Sequence, residues 1–175
     1  MALALIAYPE IKQVDFKWIQ SVRKQEDELY FNVINPHFTI IFPVFNIKEP
    51  DLCEHIKSCL SGFGSFYFTL DHAEINKDSF NEYWHTFLVP KEGYESIVQL
   101  HDLAYTGILK PELREDILFV PHIGIGNSKD YKLTQELTNK LNKQNINIRG
   151  KISKLDLIIF KDNQVDTIRS FKLNK

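Results

Sequence analysis

Two histidines stand in matched surroundings, Asn35-Pro36-His37-Phe38-Thr39-Ile40 and Val120-Pro121-His122-Ile123-Gly124-Ile125. Each run reads proline, histidine, apolar residue, small residue, isoleucine. Strand side chains alternate between faces, so each histidine shares its face with the small residue two positions on, Thr39 or Gly124. Phe38, Ile40, Ile123 and Ile125 then face the other way, where helices can cover them. An imidazole with a pKa of about 6.5 can give or take a proton near neutral pH. Two of them facing one another could serve as base and acid for one reacting centre. A lone histidine in an apolar strand is usually structural; a matched pair points to a site.

The elements that must position this pair follow from periodicity and breakers. Ala2 to Tyr8 read as a buried strand ended by Pro9, and Val14, Trp18, Ile19 and Val22 mark one face of a helix over about 14–28. The charged run RKQEDE at its end reads as a solvated face. After the Asn35-Pro36 break, HFTIIFPVF is a β-branched and aromatic strand, and a short helix covers about 50–60. FYFTLDHAEI and EYWHTFLVP form a hairpin around a polar loop, closed by Pro90, and a helix spans about 93–105. ILFVPHIGIG is a further strand, Leu133, Leu137 and Leu141 mark a helix over about 131–143, and ISKLDLIIF and DTIRSFKL finish the chain across a KDNQ turn. The basic stretch RGKISK, Arg149 to Lys154, suits either an RNA end or a strand edge guarded by lysines.

The order strand, helix, histidine strand, helix, strand occurs twice. His37 follows Pro9 by 28 residues and His122 follows Pro90 by 32. This parallel suggests an internal duplication, with units over about 2–75 and 82–161 plus a C-terminal strand. Two such units predict one bilobal α+β domain over residues 1–175, with two antiparallel sheets facing a central cleft and helices outside.

The paired motifs resemble the signature of the two-histidine (2H) phosphoesterase superfamily, the 2′-5′ RNA ligase-like or cyclic phosphodiesterase family. That signature is two H-x-[ST]-x motifs with apolar x. His37-Phe38-Thr39-Ile40 matches fully, His122-Ile123-Gly124-Ile125 matches in its histidine and apolar positions, and the separation of 85 residues fits. ALIAYPEI followed by a helix also looks like the family's opening. The resemblance implies His37 and His122 as catalytic residues, with His37 as acid and His122 as base. It implies Thr39 as a phosphate ligand, with Gly124 at the second phosphate position. It further implies a phosphodiesterase acting on a 2′,3′-cyclic phosphate or a 2′-5′ linkage in nucleotides or short RNA, without metal or cofactor. Gly124 departs from the family's Thr or Ser. It supplies no hydroxyl but lets a backbone N–H or water approach closely. A non-catalytic nucleotide- or RNA-binding module on the same fold is the alternative it favours.

Bulk properties narrow the field. A formal net charge of −2 and a pI of about 6.3 argue against a grip on long nucleic acid. Cys53 and Cys59 have neither redox nor zinc spacing, and the chain shows no HxxxH or carboxylate cluster that would bind a metal. No apolar run is long enough to span a bilayer, and the short opening MALALIAYPEI lacks a basic start. A cytoplasmic monomer that does not meet a membrane is expected. His85 suits a surface or hydrogen-bonded core role, with the cleft as the alternative, and His55, His72 and His101 suit the surface. Tyr83, Trp84 and Phe45 could stack a base or fill the core. Lys129 and Tyr131, just past the second motif, could meet the rest of a substrate.

Overall fold

The computed structural model describes residues 2–175. In chain order the elements are β1 (Ala2–Ala7), β2 (Glu10–Ile11), α1 (Gln13–Glu26), β3 (Phe38–Val44), α2 (Glu49–Cys59), β4 (Phe66–Lys77) and β5 (Trp84–Glu92). They continue with α3 (Tyr94–Ala104), a 3₁₀ turn (Gly107–Glu112), β6 (Ile123–Ser128), α4 (Tyr131–Asn142), β7 (Ile148–Ile152), β8 (Lys154–Lys161) and β9 (Gln164–Lys172). The molecule is α+β, with one antiparallel sheet ordered β3-β1-β8-β9 and another ordered β2-β7-β4-β5-β6.

Neither sheet is made from a contiguous half of the chain. The three-strand set β3-β1-β8 mirrors β6-β5-β4, with a histidine motif at the start of the outer strand of each set. The third strand is exchanged: β4, from the first half, pairs with β5, while β8, from the second half, pairs with β1. The exchange explains why every residue of β1 is buried. It is hydrogen-bonded on both edges, Leu3, Leu5 and Ala7 join the main core, and Ala4 and Ile6 join a smaller cluster with Ile158 on its other face. The main core is continuous between the sheets, and Phe38 of one meets Phe68 of the other edge to face at 5.1 Å.

Helix faces follow their apolar spacing. α3 packs on β3 and β5, and α4 on β4, β5 and β6 through Leu137 and Leu141. α1 follows β2 and packs against β6, at the opposite edge of the same sheet. The run at its end is not wholly a solvated face, because Arg23 and Asp27 are buried together. The last sheet strands also differ from the expectation. Ile148–Ile152 forms β7 between β4 and the two-residue β2. Its Gly150 has no strand-like apolar signal, but a Cβ there would meet Phe68 and Ile11. The apolar run leading to the second histidine becomes regular strand only at Ile123, so His122 sits just ahead of β6 as His37 sits just ahead of β3.

Gly93 begins α3 with φ +80°, and a Cβ would lie 2.7 Å from the Tyr67 carbonyl oxygen. Both the left-handed backbone and the close approach require glycine there. Gly93→Ala is expected to destabilise the fold by about 1–3 kcal/mol, read as a lower urea midpoint with an unchanged m-value.

Candidate active site

The two histidines are held by the same device. His37 Nδ1 donates to the Asn35 carbonyl at 2.8 Å, and His122 Nδ1 donates to the Val120 carbonyl at 2.6 Å. In each motif the chain doubles back across a buried proline, Pro36 or Pro121, so that the imidazole reaches the carbonyl two residues earlier. With the proton fixed on Nδ1, the neutral ring presents an Nε2 lone pair. Phe38, Ile40, Ile123 and Ile125 are fully buried, which leaves Thr39 and Gly124 half-exposed on the histidine faces, as strand alternation requires.

The surroundings of the two rings differ. His122 lies flat on Phe87 of β5, centroids 3.5 Å apart at 11°, and Phe87 stacks in turn against His85 at 5.6 Å. His37 lies edge to face with Tyr8, centroids 6.3 Å apart at 70°. Burial pushes the pKa of His37 down to about 4, the Asn35 carbonyl works against that shift, and the Arg23 charge adds to it. Burial likewise pushes His122 down to about 4, opposed by the Val120 carbonyl and assisted by repulsion from His37 and His85. His122 thus feels the charge of His37. Both are therefore neutral in the free protein at pH 7, and an anion between them would favour their protonation.

Thr39 pairs with Ile6, Ile6 with Asp156, and Asp156 with Ser170, which sets these residues in one row across the sheet. Asp156 is buried and bound by the Ser170 hydroxyl and by Lys154 Nζ at 2.8 Å. Lys154, read from the sequence as part of a basic stretch, is thus largely neutralised by its own neighbour. At Gly124 an added Cβ would meet nothing within 4 Å. Packing does not impose glycine there, and a hydroxyl side chain fits.

The remaining candidates divide. His85 is buried and donates through Nε2 to Asp78 at 2.9 Å. Burial alone would raise the Asp78 pKa, but the Phe80 and Asn81 N–H groups and His85 outweigh it and lower it. Trp84 packs on Tyr131 at 4.8 Å, while Lys129 lies over Tyr83 and pairs with Glu82 at 3.4 Å. Phe45 is exposed. His72 sits between Asp71 and Glu74, as a surface histidine would. His101, expected at the surface, is buried against Phe119 at 3.8 Å, and His55 is half-buried on the Ala104 carbonyl. Phe87 went unflagged by the sequence; its only signal was its place two residues after His85 on one strand face. Among the described residues no group of three or more His, Cys, Asp or Glu side chains is placed to hold a metal ion, and no helix is long and apolar enough to cross a membrane.

An antiparallel bilobal fold with paired histidine motifs defines a class, and comparison supplies the family. Residues 11–164 match the model of the 2′-5′ RNA ligase superfamily, and the chain belongs to that superfamily. The fold is similar to that of E. coli LigT, crystallised with ATP, at TM-score 0.63 and 14% identity, over 99% of this chain and 98% of that one. LigT was also crystallised with 3′-AMP and with phosphate. TT0787 of Thermus thermophilus is similar at TM-score 0.63 and 12% identity, and Kluyveromyces marxianus Usb1 at 0.55 and 8%, each over 99% of this chain and 98% of theirs. No curated protein sequence matches the chain significantly.

The lowered histidine pKa values carry a stability consequence. Between about pH 6.5 and pH 4 the unfolded imidazoles bind protons that the folded ones refuse. Their contribution is present in full above the unfolded pKa and is lost as pH falls through that window. Chemical denaturation at stepped pH is expected to show stability declining from pH 6.5 to 4, with a shallower slope in the His37→Ala/His122→Ala variant.

Proposed function

We propose that this chain is a phosphodiesterase that hydrolyses 2′,3′-cyclic phosphate or 2′-5′ phosphodiester bonds in nucleotides or short RNA, with His37 and His122 as its acid–base pair. The observation that carries the reading is the shared Nδ1-to-carbonyl latch, which leaves an Nε2 on each ring for proton transfer. In the hydrolytic direction, Nε2 of neutral His122 accepts a proton from water as its oxygen forms a bond to phosphorus. Nε2–H of protonated His37 gives its proton to the leaving ribose oxygen as the P–O bond breaks. The Thr39 hydroxyl donates to a non-bridging oxygen, and the open space at Gly124 admits a water to the other. No step calls on a metal or an organic cofactor. The nucleotides and phosphate crystallised with LigT support this ligand class.

Purified protein is expected to turn over nucleoside 2′,3′-cyclic phosphates or 2′-5′ oligoadenylates, with a loss of roughly 10²-fold or more in kcat for His37→Ala or His122→Ala. Equal turnover by wild type and His37→Ala would rule the mechanism out. Gly124→Thr restores the missing hydroxyl without a clash at Cβ and is expected to raise kcat/KM about fivefold, the equivalent of one neutral hydrogen bond. Gly124 also favours a second reading, a binding module without turnover. Calorimetry showing nucleotide binding with no hydrolysis in either wild type or Gly124→Thr would establish it.

A further inference from the structure

The end of α1 carries charges that are out of water: Arg23 is 2% exposed and Asp27 5%. Burying an ion pair strips hydration from both groups, and their attraction often does no more than offset that loss. The other bonds of the pair show what the charges add.

Arg23 Nε and Nη2 meet Asp27 Oδ2 at 2.9 and 2.8 Å. Nη2 also donates to the Ile34 carbonyl at 2.9 Å, next to the Asn35 carbonyl that receives the His37 proton. Nη1 donates at 2.9 Å to Gln20, whose amide reaches the Asn35 side chain at 3.4 Å. On the opposite side, Asp27 Oδ1 accepts from Asn127 Nδ2 at 2.5 Å and from the Tyr30 N–H at 2.9 Å. Asn127 belongs to β6, five residues after His122. The Asp27 and Asn127 backbones form a parallel bridge. One end of the pair therefore holds the segment that latches His37, and the other holds the strand that follows His122.

We propose that Arg23, Asp27 and Asn127 are positioning residues, a buried polar strut that sets the spacing of the two histidines across the cleft. The proposal rests on the histidine-pair reading above and names what aligns that pair. A planar, forked guanidinium suits the task, because it fixes two partners in direction as well as distance. The two charges act on His37 in opposite directions, Arg23 lowering its pKa and Asp27 raising it, so the pair can brace the ring without imposing a large net field. The orphaned Oδ1 of Asn127, buried without a partner, is consistent with an amide oriented for its bond to Asp27.

The test is the apolar replacement Arg23→Met/Asp27→Leu, which removes both charges together and so avoids a lone buried ion. The variant is expected to fold with a lowered Tm, because the Ile34 carbonyl, the Asn127 amide and the Tyr30 N–H lose their partners. Its kcat on a 2′,3′-cyclic nucleotide is expected to fall by roughly a hundredfold, with a smaller change in KM. A second readout needs no turnover. In the wild-type background, His37→Ala is expected to raise the His122 pKa read by imidazole NMR, because it removes the His37 charge. In the doubly substituted background the same change is expected to move it by roughly half as much or less. A folded double variant with wild-type kcat and wild-type coupling between the histidines overturns the strut. Where wild type turns over neither substrate, the NMR coupling alone decides, so the strut and the phosphodiesterase reading fail separately. If the double variant does not fold, Arg23→Lys keeps the charge but lacks the fork. Partial losses in the same two readouts then support the strut, and wild-type values overturn it.

Discussion

The exchange of third strands is the constraint on which the rest depends. Within the two mirrored three-strand sets, each half of the chain supplies two neighbouring strands to its own sheet and one to the other, β4 beside β5 and β8 beside β1. Neither sheet can complete its hydrogen bonding alone, so the lobes cannot drift apart without breaking ladders. The exchange also leaves β3 and β6 at sheet edges. Both edge pairings carry register irregularities, between Leu3 and Ile6 in one and at Thr86/Phe87 in the other. Edges are where a strand can depart from regular pairing and re-aim a side chain at modest cost. Here each histidine lies one residue before such a strand, latched to its own backbone.

The electrostatics follow from that placement. A backbone carbonyl behind each Nδ1 fixes the tautomer, while burial favours the uncharged ring. The site is thus built of neutral bases whose protonation a nearby anion would favour, which suits the proposed acid–base pair. The two lobes contribute differently. His37 has Thr39 beside it and a T-shaped contact with Tyr8, whereas His122 has a stacked aromatic face and open space at Gly124. Any asymmetry of role between the histidines has its physical basis in that difference.

Much of this was legible in the sequence because it is local. Proline before histidine, alternation after it, and apolar spacing in α1, α3 and α4 are short-range patterns, and they located the elements to within a few residues. β7 was only half legible: the basic stretch suited an RNA end as well as a strand edge, and a glycine interrupts the apolar face of Ile148 and Ile152. Its conformation comes from pairing with β4, and its glycine serves the packing of Phe68 and Ile11. Arg23 and Asp27 read as surface charges for a related reason. Whether a helical charge meets water depends on what the chain lays over it, and that is the Ile34 segment and β6.

The sequence by itself therefore determined the histidine motifs, the faces they share with Thr39 and Gly124, and the doubled order of elements, because strand and helix periodicity act over a few residues. Only the tertiary structure decided which strands exchange sheets, that Phe87 floors the second histidine, and that an ion pair in α1 joins the two motifs. Those features arise from contacts between residues far apart in the chain, Asp27 and Asn127 above all, whose pairing no local pattern encodes.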